Sequence, residues 1–558
     1  MVAHRPGQES LMATIGTLLS ITGVLALTHT SLAQLAVQTT SPTMNANNAA
    51  RSGPVSVTFD RAVNTATFTS ANFWAFGKLT GPVAGAVTFS NSNQTVTLTP
   101  AQSLQAGEVV MVILSNQLRA ADGSFLRAQG YSFMFTTAVS PSYHLFTPIG
   151  NRSNRDNTGA QTRIYGGLAC DLNRDGLCDL TTINEVSADL RVMLNTHNPG
   201  APFTSMLTPY VPIPYESSPN EVADFDRDGF LDIVTSSNAE NRVAVAFGNG
   251  NGTFSPPILI STGDYPRGFG ILDVDGDGDQ DFTVANNVSG NVAIVRNSGG
   301  RTFTAPTTVP VSGGPYGLAA AEMNNDGIID LVAGTTNQQC VVLRGNGNST
   351  FTQTSSRSLG GSNWVIQCAD VNNDGNMDVS TANSSSANGS ILKGNGNGTL
   401  QAAVVKATGG HTVSTDFADL DGDGDQDWVL SSFGAGTWYL YLNDGLGNFT
   451  PAEEFDAPAN PSCAVPVDFD GDGDIDLALT DEIADVIVLL RNDCSPIDFN
   501  RDGLFPDTAD IDDFLTVFSG GPCSTGNCGS VDFNNDGLFP DTSDIDALLN
   551  VFSGGACT

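Results

Sequence analysis

Seven nine-residue segments of this chain set acidic side chains at alternate positions around an Asp-Gly step, a pattern that gathers oxygen atoms about a hard cation. They are DLNRDGLCD from Asp171, DFDRDGFLD from Asp224, DVDGDGDQD from Asp273, EMNNDGIID from Glu322, DVNNDGNMD from Asp370, DLDGDGDQD from Asp419 and DFDGDGDID from Asp468. Calcium takes roughly six to eight oxygens, and carboxylates at alternate positions of a tight loop converge only where a glycine permits the sharp turn. Each copy has that glycine at its sixth position. The expected side-chain ligands are Asp171, Asn173, Asp175 and Asp179; Asp224, Asp226, Asp228 and Asp232; Asp273, Asp275, Asp277 and Asp281; Glu322, Asn324, Asp326 and Asp330; Asp370, Asn372, Asp374 and Asp378; Asp419, Asp421, Asp423 and Asp427; and Asp468, Asp470, Asp472 and Asp476. The seventh position is expected to add a backbone carbonyl. Glu322 and the three Asn residues depart from the all-Asp pattern, and the Asn loops, having less charge, are expected to bind more weakly. Without a cation, carboxylates held this close repel one another, so the sequence predicts about seven Ca2+ ions. No His stands among these ligands, and seven near-copies argue for a scaffold and against catalytic zinc or magnesium.

The spacing of the loops says what positions them. Their starts lie 53, 49, 49, 48, 49 and 49 residues apart, a period that marks a repeat architecture. A second landmark recurs in most periods, an apolar run, an Asn-Gly or Asp-Gly turn and a closing Phe or Leu: VAFGNGNGTF to Phe254, VLRGNGNSTF to Phe351, LKGNGNGTL to Leu400 and YLNDGLGNF to Phe449. These are hairpin signals. The runs after the closing Asp, such as DIVTSS from Asp232, favour strand and lack helical spacing. About four strands fit one period, the size of a propeller blade. On these motifs residues 143–493 resemble the FG-GAP or VCBS-type repeats of integrin-α-like propellers, which implies a mainly β fold with a seven-bladed β-propeller at its centre. The last period stops at Val486 to Asp493 without its final strand, and YHLFTPI from Tyr143 resembles FSPPI from Phe254. The N-terminal segment is therefore expected to complete the last blade as a strap.

Two other regions flank the repeats. Residues 38–138 alternate apolar and polar residues, as in VSVTFDRAV from Val55 and QTVTLTP from Gln94, the pattern of a β-sandwich, and their phrases resemble bacterial Ig-like domains. Residues 494–558 hold a duplication, DFNRDGLFPDTADIDDFLTVFSGGPC from Asp498 and DFNNDGLFPDTSDIDALLNVFSGGAC from Asp532. Ile511, Phe514, Leu515 and Phe518 in the first copy and Ile545, Leu548, Leu549 and Phe552 in the second have helical spacing, so a helix follows each loop. This resembles the dockerin-type, EF-hand-like repeat, which implies up to two further Ca2+ ions and a cohesin-like partner. The ligands expected are Asp498, Asn500, Asp502 and Asp510, and Asp532, Asn534, Asp536 and Asp544. Ala509 and Ser543 occupy the twelfth position, where an acid is the rule, and that departure counts against cohesin binding. The symmetry of the copies suggests disulfides Cys494–Cys523 and Cys528–Cys557. Cys170–Cys178 and Cys340–Cys368 are further candidate pairs, leaving Cys463 free.

The ends and composition bound the function. His4 and Arg5, an apolar run from Leu11 to Leu27 and small residues at Ser31 and Ala33 read as a signal peptide over residues 1–33. The expectation is a secreted or surface-associated protein without a membrane span after cleavage. A formal net charge of -37 disfavours nucleic acid and anionic lipid, and 25 of the 59 acids fall at the expected ligand positions of the seven loops. His144, His197 and His411 stand in no nucleophile or metal constellation, and no enzyme is expected. The partner expected is an extracellular protein or, alternatively, a glycan met by Trp364, Trp428 or Trp438 in a lectin-like propeller attached to a polysaccharide-processing assembly.

Overall fold

Each nine-residue loop connects the two strands of a hairpin. The residue before position one pairs with the Asp at position nine in all seven repeats: Cys170 with Asp179, Ala223 with Asp232, Leu272 with Asp281, Ala321 with Asp330, Ala369 with Asp378, Ala418 with Asp427 and Val467 with Asp476. The strands that open on the closing Asp, such as Asp232–Ser237 and Asp330–Thr335, are buried along their whole length. Sandwiched on both faces, they read as continuous runs and do not alternate.

This computed structural model describes residues 33–142, 145–156, 158–493, 499, 508–526, 531 and 541–552. The export segment and His144 lie outside the described residues. Among the described residues the repeats build seven four-stranded antiparallel sheets. Their first strands are Ile164–Cys170, Ser217–Ala223, Pro266–Leu272, Pro315–Ala321, Asn363–Ala369, Thr412–Ala418 and Pro461–Val467. Six sheets take their strands in chain order, whereas the seventh borrows its fourth strand from the other end. There Leu145–Ser153 pairs antiparallel with Val486–Asp493, from Leu145 opposite Asp493 to Ser153 opposite Val486. The strap thus takes the place expected for it and runs four residues beyond Ile149.

First strands of consecutive sheets lie side by side, and that of the seventh lies against that of the first. Apolar layers fill the spaces between sheets. Phe225, Phe247, Phe269 and Phe282 join the second to the third, and Val467, Phe469 and Leu489 meet Ala169, Leu180 and Met193 between the seventh and the first. The result is a propeller-like ring whose Asp loops share one face.

The preceding segment is an Ig-like sandwich of two four-stranded sheets around Val57, Phe59, Val96, Val112, Phe133 and Phe135. It docks on the loop face of the ring. Asn45 donates to the carbonyls of Glu322 (3.3 Å) and Gly375 (3.1 Å), and Arg127 to those of Asp326 and Gly327 (both 2.6 Å). Trp74 donates to that of Gly278 at 2.9 Å. Trp74, Phe76, Met111, Ile113 and Met134 share one apolar cluster with Leu172, Val274 and Ile329 of the ring.

At the C-terminus two helices, α1 (Thr508–Phe518) and α2 (Thr542–Phe552), follow the duplicated loops. Phe499, Phe514 and Leu548 form a small core. Asp510 and Asp544 are buried in the first turns. The remaining ligands expected there, Asp498, Asn500, Asp502, Asp532, Asn534 and Asp536, lie outside the described residues, as do Cys494, Cys528 and Cys557.

The two disulfides expected within the ring are corrected: Cys170, Cys178, Cys340 and Cys368 are free thiols, like Cys463. Cys170 and Cys178 stand at the two ends of one loop but face different layers, Cys170 packing with Ile183 and Val192 and Cys178 with Leu180 and Phe469. Closeness in sequence had suggested a staple; the alternation of side chains along a strand sends them apart. Cys340 and Cys368 border one apolar layer as separate thiols.

The strap supplies a test of closure. Phe146 packs beside Phe455 (5.9 Å between ring centres) and Ile149 against the layer between the seventh and first sheets. Replacing both by Ala should cost about 3 kcal/mol, given their partial exposure, and lower the calorimetric unfolding midpoint. Val404→Ala on an exposed outer strand should leave it unchanged.

Candidate metal centre

The loop is folded by its own carboxylates. In every copy the residues at positions four and six have left-handed backbones: Arg174, Arg227, Gly276, Asn325, Asn373, Gly422 and Gly471 at the fourth (φ 55° to 84°), and glycine at the sixth (φ 75° to 101°). The glycines were expected; the demand at position four was not, since Gly, Asn and Arg all serve there. Asn and Gly suit the left-handed region, and Arg gains by reaching out of the loop. Arg227 lies over the Trp74 ring, 4.0 Å from its centre.

At position one, a carboxylate oxygen accepts from the amide of the loop glycine at 2.6–3.2 Å in six copies. The position-five carboxylate accepts from the position-seven amide at 2.8–3.1 Å in all seven. At position nine, one oxygen accepts from the position-two amide at 2.8–3.1 Å. The other accepts at 2.6–2.9 Å from an amide at the end of the third strand or just past it, such as Asn492, Asn195 or Gly248.

These bonds aim positions one, three and nine at a common point. Asp224, Asp226 and Asp232 bring oxygens within 4.8 Å of one another, as do Asp273, Asp275 and Asp281; Asp419, Asp421 and Asp427; and Asp468, Asp470 and Asp476. Asp228, Asp277, Asp423 and Asp472 stand outside these groups. In the loops with Asn173, Asn324 and Asn372 an amide replaces the middle carboxylate, leaving Asp171 with Asp179, Glu322 with Asp330 and Asp370 with Asp378. Asp175, Asp326 and Asp374 make the same amide bonds as their counterparts.

The donor set fits a hard divalent cation: oxygen throughout, and some of it lacking any partner. Asp224 Oδ1, Asp275 Oδ1 and Asp468 Oδ2 are buried and accept no hydrogen bond. Two carboxylate charges 4.8 Å apart repel by ~3 kcal/mol at an effective dielectric constant near 20, and each of these clusters holds three. Burial, reinforced by neighbouring carboxylates, pushes Asp224, Asp273 and Asp419 up to about 7 and Asp232 and Glu322 to about 8. It also drives Asp281, Asp427 and Asp476 well above the usual range. A cation at the focus removes that penalty.

Three acids went unassigned in the sequence, Asp279, Asp425 and Asp474, because position seven was expected to contribute only its carbonyl. Asp425 and Asp474 are buried, and neither oxygen of Asp474 has a hydrogen-bond partner. An acid at the seventh position in three loops was the available signal. Asp279 meets Arg227 at 3.3 Å. Of the three Trp platforms, Trp428 and Trp438 are core residues, and Trp428 donates to Thr415. Trp364 alone among them lines a cavity, at the end of the ring away from the loops. His197 lies 3.3 Å from Asp175, and His411 packs edge-on to Trp364.

Comparison with known proteins supports the repeat reading. Residues 224–284, 273–333, 322–381, 370–430 and 419–479 match an FG-GAP-like repeat, and residues 33–137 match a bacterial Ig-like domain. No curated protein matches the chain. Among solved structures, BBS1N in complex with ARL6DN is similar over 63% of this chain and 99% of its own, at 11% identity and TM-score 0.45. An Agrocybe aegerita lectin that recognises non-reducing terminal N-acetylglucosamine is similar over 70% and 90%, at 20% identity and TM-score 0.40. A Lactobacillus plantarum protein is similar over 60% and 97%, at 12% identity and TM-score 0.39.

The raised carboxylates fix the sign of the pH response. Between about pH 4 and pH 8 the metal-free folded state holds protons that the unfolded chain has released. In chelator the unfolding midpoint should therefore fall as pH rises through this window. Asp275→Asn, which copies the middle residue of three sister loops, should stabilise the fold in chelator at pH 8 by about 1–2 kcal/mol, raising the midpoint there, and lower it in calcium. Differential scanning calorimetry of both forms reads both signs.

Proposed function

We propose that this chain is an exported, calcium-stabilised, non-catalytic interaction scaffold. Its body in this reading is a seven-bladed β-propeller carrying one Ca2+ per blade, with the Ig-like sandwich as a spacer docked on the calcium face. The observation that carries it is the convergence of buried, partly unpartnered carboxylate oxygens at one point in the loops, repeated around the ring. Four such centres, with three Asn-containing counterparts, suit a structural device, because one reaction would need one centre. The residues that would hold the ions are those at positions one, three and nine, and bound calcium would supply charge neutralisation at the root of each blade.

Secretion fits this reading, since extracellular fluid holds calcium at levels that fill such loops, and among the described residues no helix is long and apolar enough to cross a membrane. The C-terminal helices, each opening on a buried Asp, suit a second pair of calcium loops and a docking role toward a cohesin-like or other protein partner. A lectin-like reading is favoured by one observation, the placement of Trp364 on a cavity that also carries Asn220, Arg267 and Glu482.

Metal analysis and calcium titration of the purified chain test the main reading. About seven ions should bind to the ring, and chelation should lower the unfolding midpoint by on the order of 10 °C. Equal midpoints in calcium and in chelator, with no ion retained after dialysis, would overturn it.

A further inference from the structure

The end of the ring away from the loops opens on a cavity of ≈ 160 Å³, and a single repeat position builds its wall. Six residues before each Asp loop stand Tyr165, Ser218, Arg267, Tyr316, Trp364, Val413 and Ser462, and every one of them lines this cavity. The loops are near-copies; this position is not. Tyr165, Arg267, Tyr316 and Trp364 present three aromatic rings and a guanidinium, Tyr165 meeting Trp364 across the mouth at 6.5 Å between ring centres, and the others are small.

Arg267 is the unexplained member. It is 4% exposed, and its Nε and Nη1 have no hydrogen-bond partner. It forms no ion pair among the described residues. Its charge rests against the rings of Tyr165, Tyr265 and Tyr316, 5.1–5.5 Å from their centres. Those contacts favour a cation, and Nη2 donates to the Tyr265 hydroxyl at 3.4 Å, but Nε and Nη1 remain unmatched. Asn220 Nδ2, also on the cavity wall, is a second buried donor without a partner. Buried donors that the protein leaves unmatched are built for acceptors that arrive from outside. Glu482 at the same wall is held by Arg163 at 2.6 Å, which also meets Glu185 at 3.5 Å. Asp416 at the floor accepts from Ser414 at 2.9 Å.

The cavity adjoins another toward the loops, the two sharing Glu221, Phe269, Leu318, Ile366, Gln367 and Asp416. At the loop end, Phe76, Lys78, Met111 and Met134 of the sandwich face the inner strands across this second cavity, and Lys78 reaches Glu221 at 2.9 Å. A ligand must therefore enter at the mouth as a single unit or a chain end. Tyr316 and Trp364 are stacked, 5.4 Å apart and 13° from parallel, which gives the wall a flat apolar surface beside the unmatched donors.

The geometry points to this mouth as a binding site for a carboxylate-bearing sugar, a uronic acid unit whose carboxylate meets Arg267 and whose ring lies along the Tyr165–Tyr316–Trp364 wall. An oxyanion at Arg267 satisfies a buried charge that nothing else neutralises. Hydroxyl and ring oxygens supply acceptors for Asn220. The site deepens the glycan alternative and stands apart from the calcium reading, because its groups lie at the opposite ends of the strands.

The test is titration calorimetry of the full calcium-loaded chain with glucuronate and galacturonate, against glucuronamide, glucose and succinate. The uronates should bind, with glucuronamide, glucose and succinate at least ~10-fold weaker. Arg267→Gln should abolish uronate binding, and Trp364→Ala, at a half-buried position, should weaken it at least ~5-fold. The comparison of glucuronate with its uncharged amide uses the unaltered protein, so it decides the matter even if Arg267→Gln fails to fold. Absence of uronate binding at millimolar concentration, equal affinity for the amide, or equal affinity for succinate would overturn the site. None of these outcomes touches the calcium reading, which stands or falls on metal uptake alone.

Discussion

The closing Asp of each loop is an anion buried at the root of a four-stranded sheet, and the ring is organised around keeping it there. Each of its oxygens accepts one backbone amide, from the loop itself and from the turn after the third strand. One side chain thereby joins three segments that are separate in the sequence. A carboxylate oxygen has a second acceptor direction, so these bonds leave room for a cation at the convergence point. The Asn-containing loops keep the same amide bonds. What changes among the copies is charge at the focus, while the frame of backbone bonds is constant.

That frame exposes loop carbonyls on one face, and the Ig-like sandwich is fitted to them. Its donors at Asn45, Asn47, Arg127 and Trp74 take carbonyls from three successive loops, those beginning at Asp273, Glu322 and Asp370. These are bonds to main chain, so they read the shape of the loop and are indifferent to whether its side chains are Asp or Asn. Cation binding and domain docking then act on the same geometry: ordering the loop for one orders it for the other. The covered face also closes one end of the central channel, which leaves the opposite mouth as the accessible surface of the inner strands.

Most of this was legible because a repeat reports itself many times. The loop boundaries, the four-strand period and the strap at Leu145–Ser153 follow from spacing and from one unfinished copy. The acids and amides at positions one, three, five and nine were legible as residue types; oxygens of positions one, three and nine converge in four loops, and position five also accepts from the position-seven amide. Cysteine pairing failed because proximity in sequence says nothing about which face of a strand a side chain leaves; Cys170 and Cys178 differ by that alone. Arg267 was invisible for a related reason. An isolated Arg beside an apolar run gives no sign of being buried without an ion-pair partner, and only the ring brings Tyr165 and Tyr316 to it, beside its chain neighbour Tyr265.

The two ends of the inner strands meet different physical demands, and distance lets them. Seven residues from Pro266 to Leu272 span roughly 23 Å at about 3.3 Å per residue, more than two Debye lengths at physiological salt, where that length is about 8 Å. The acids of the loops, even before a cation neutralises them, are therefore largely screened from an anion at the mouth. A side chain exchanged at Tyr165, Arg267 or Trp364 leaves the metal geometry intact, because the loop is held by its own amides and not by the far end of the strand. Of the 59 acids, 28 stand in the seven loops, while Glu482 and Asp416 line the far cavity, so the electrostatics of that end are set by its own local contacts.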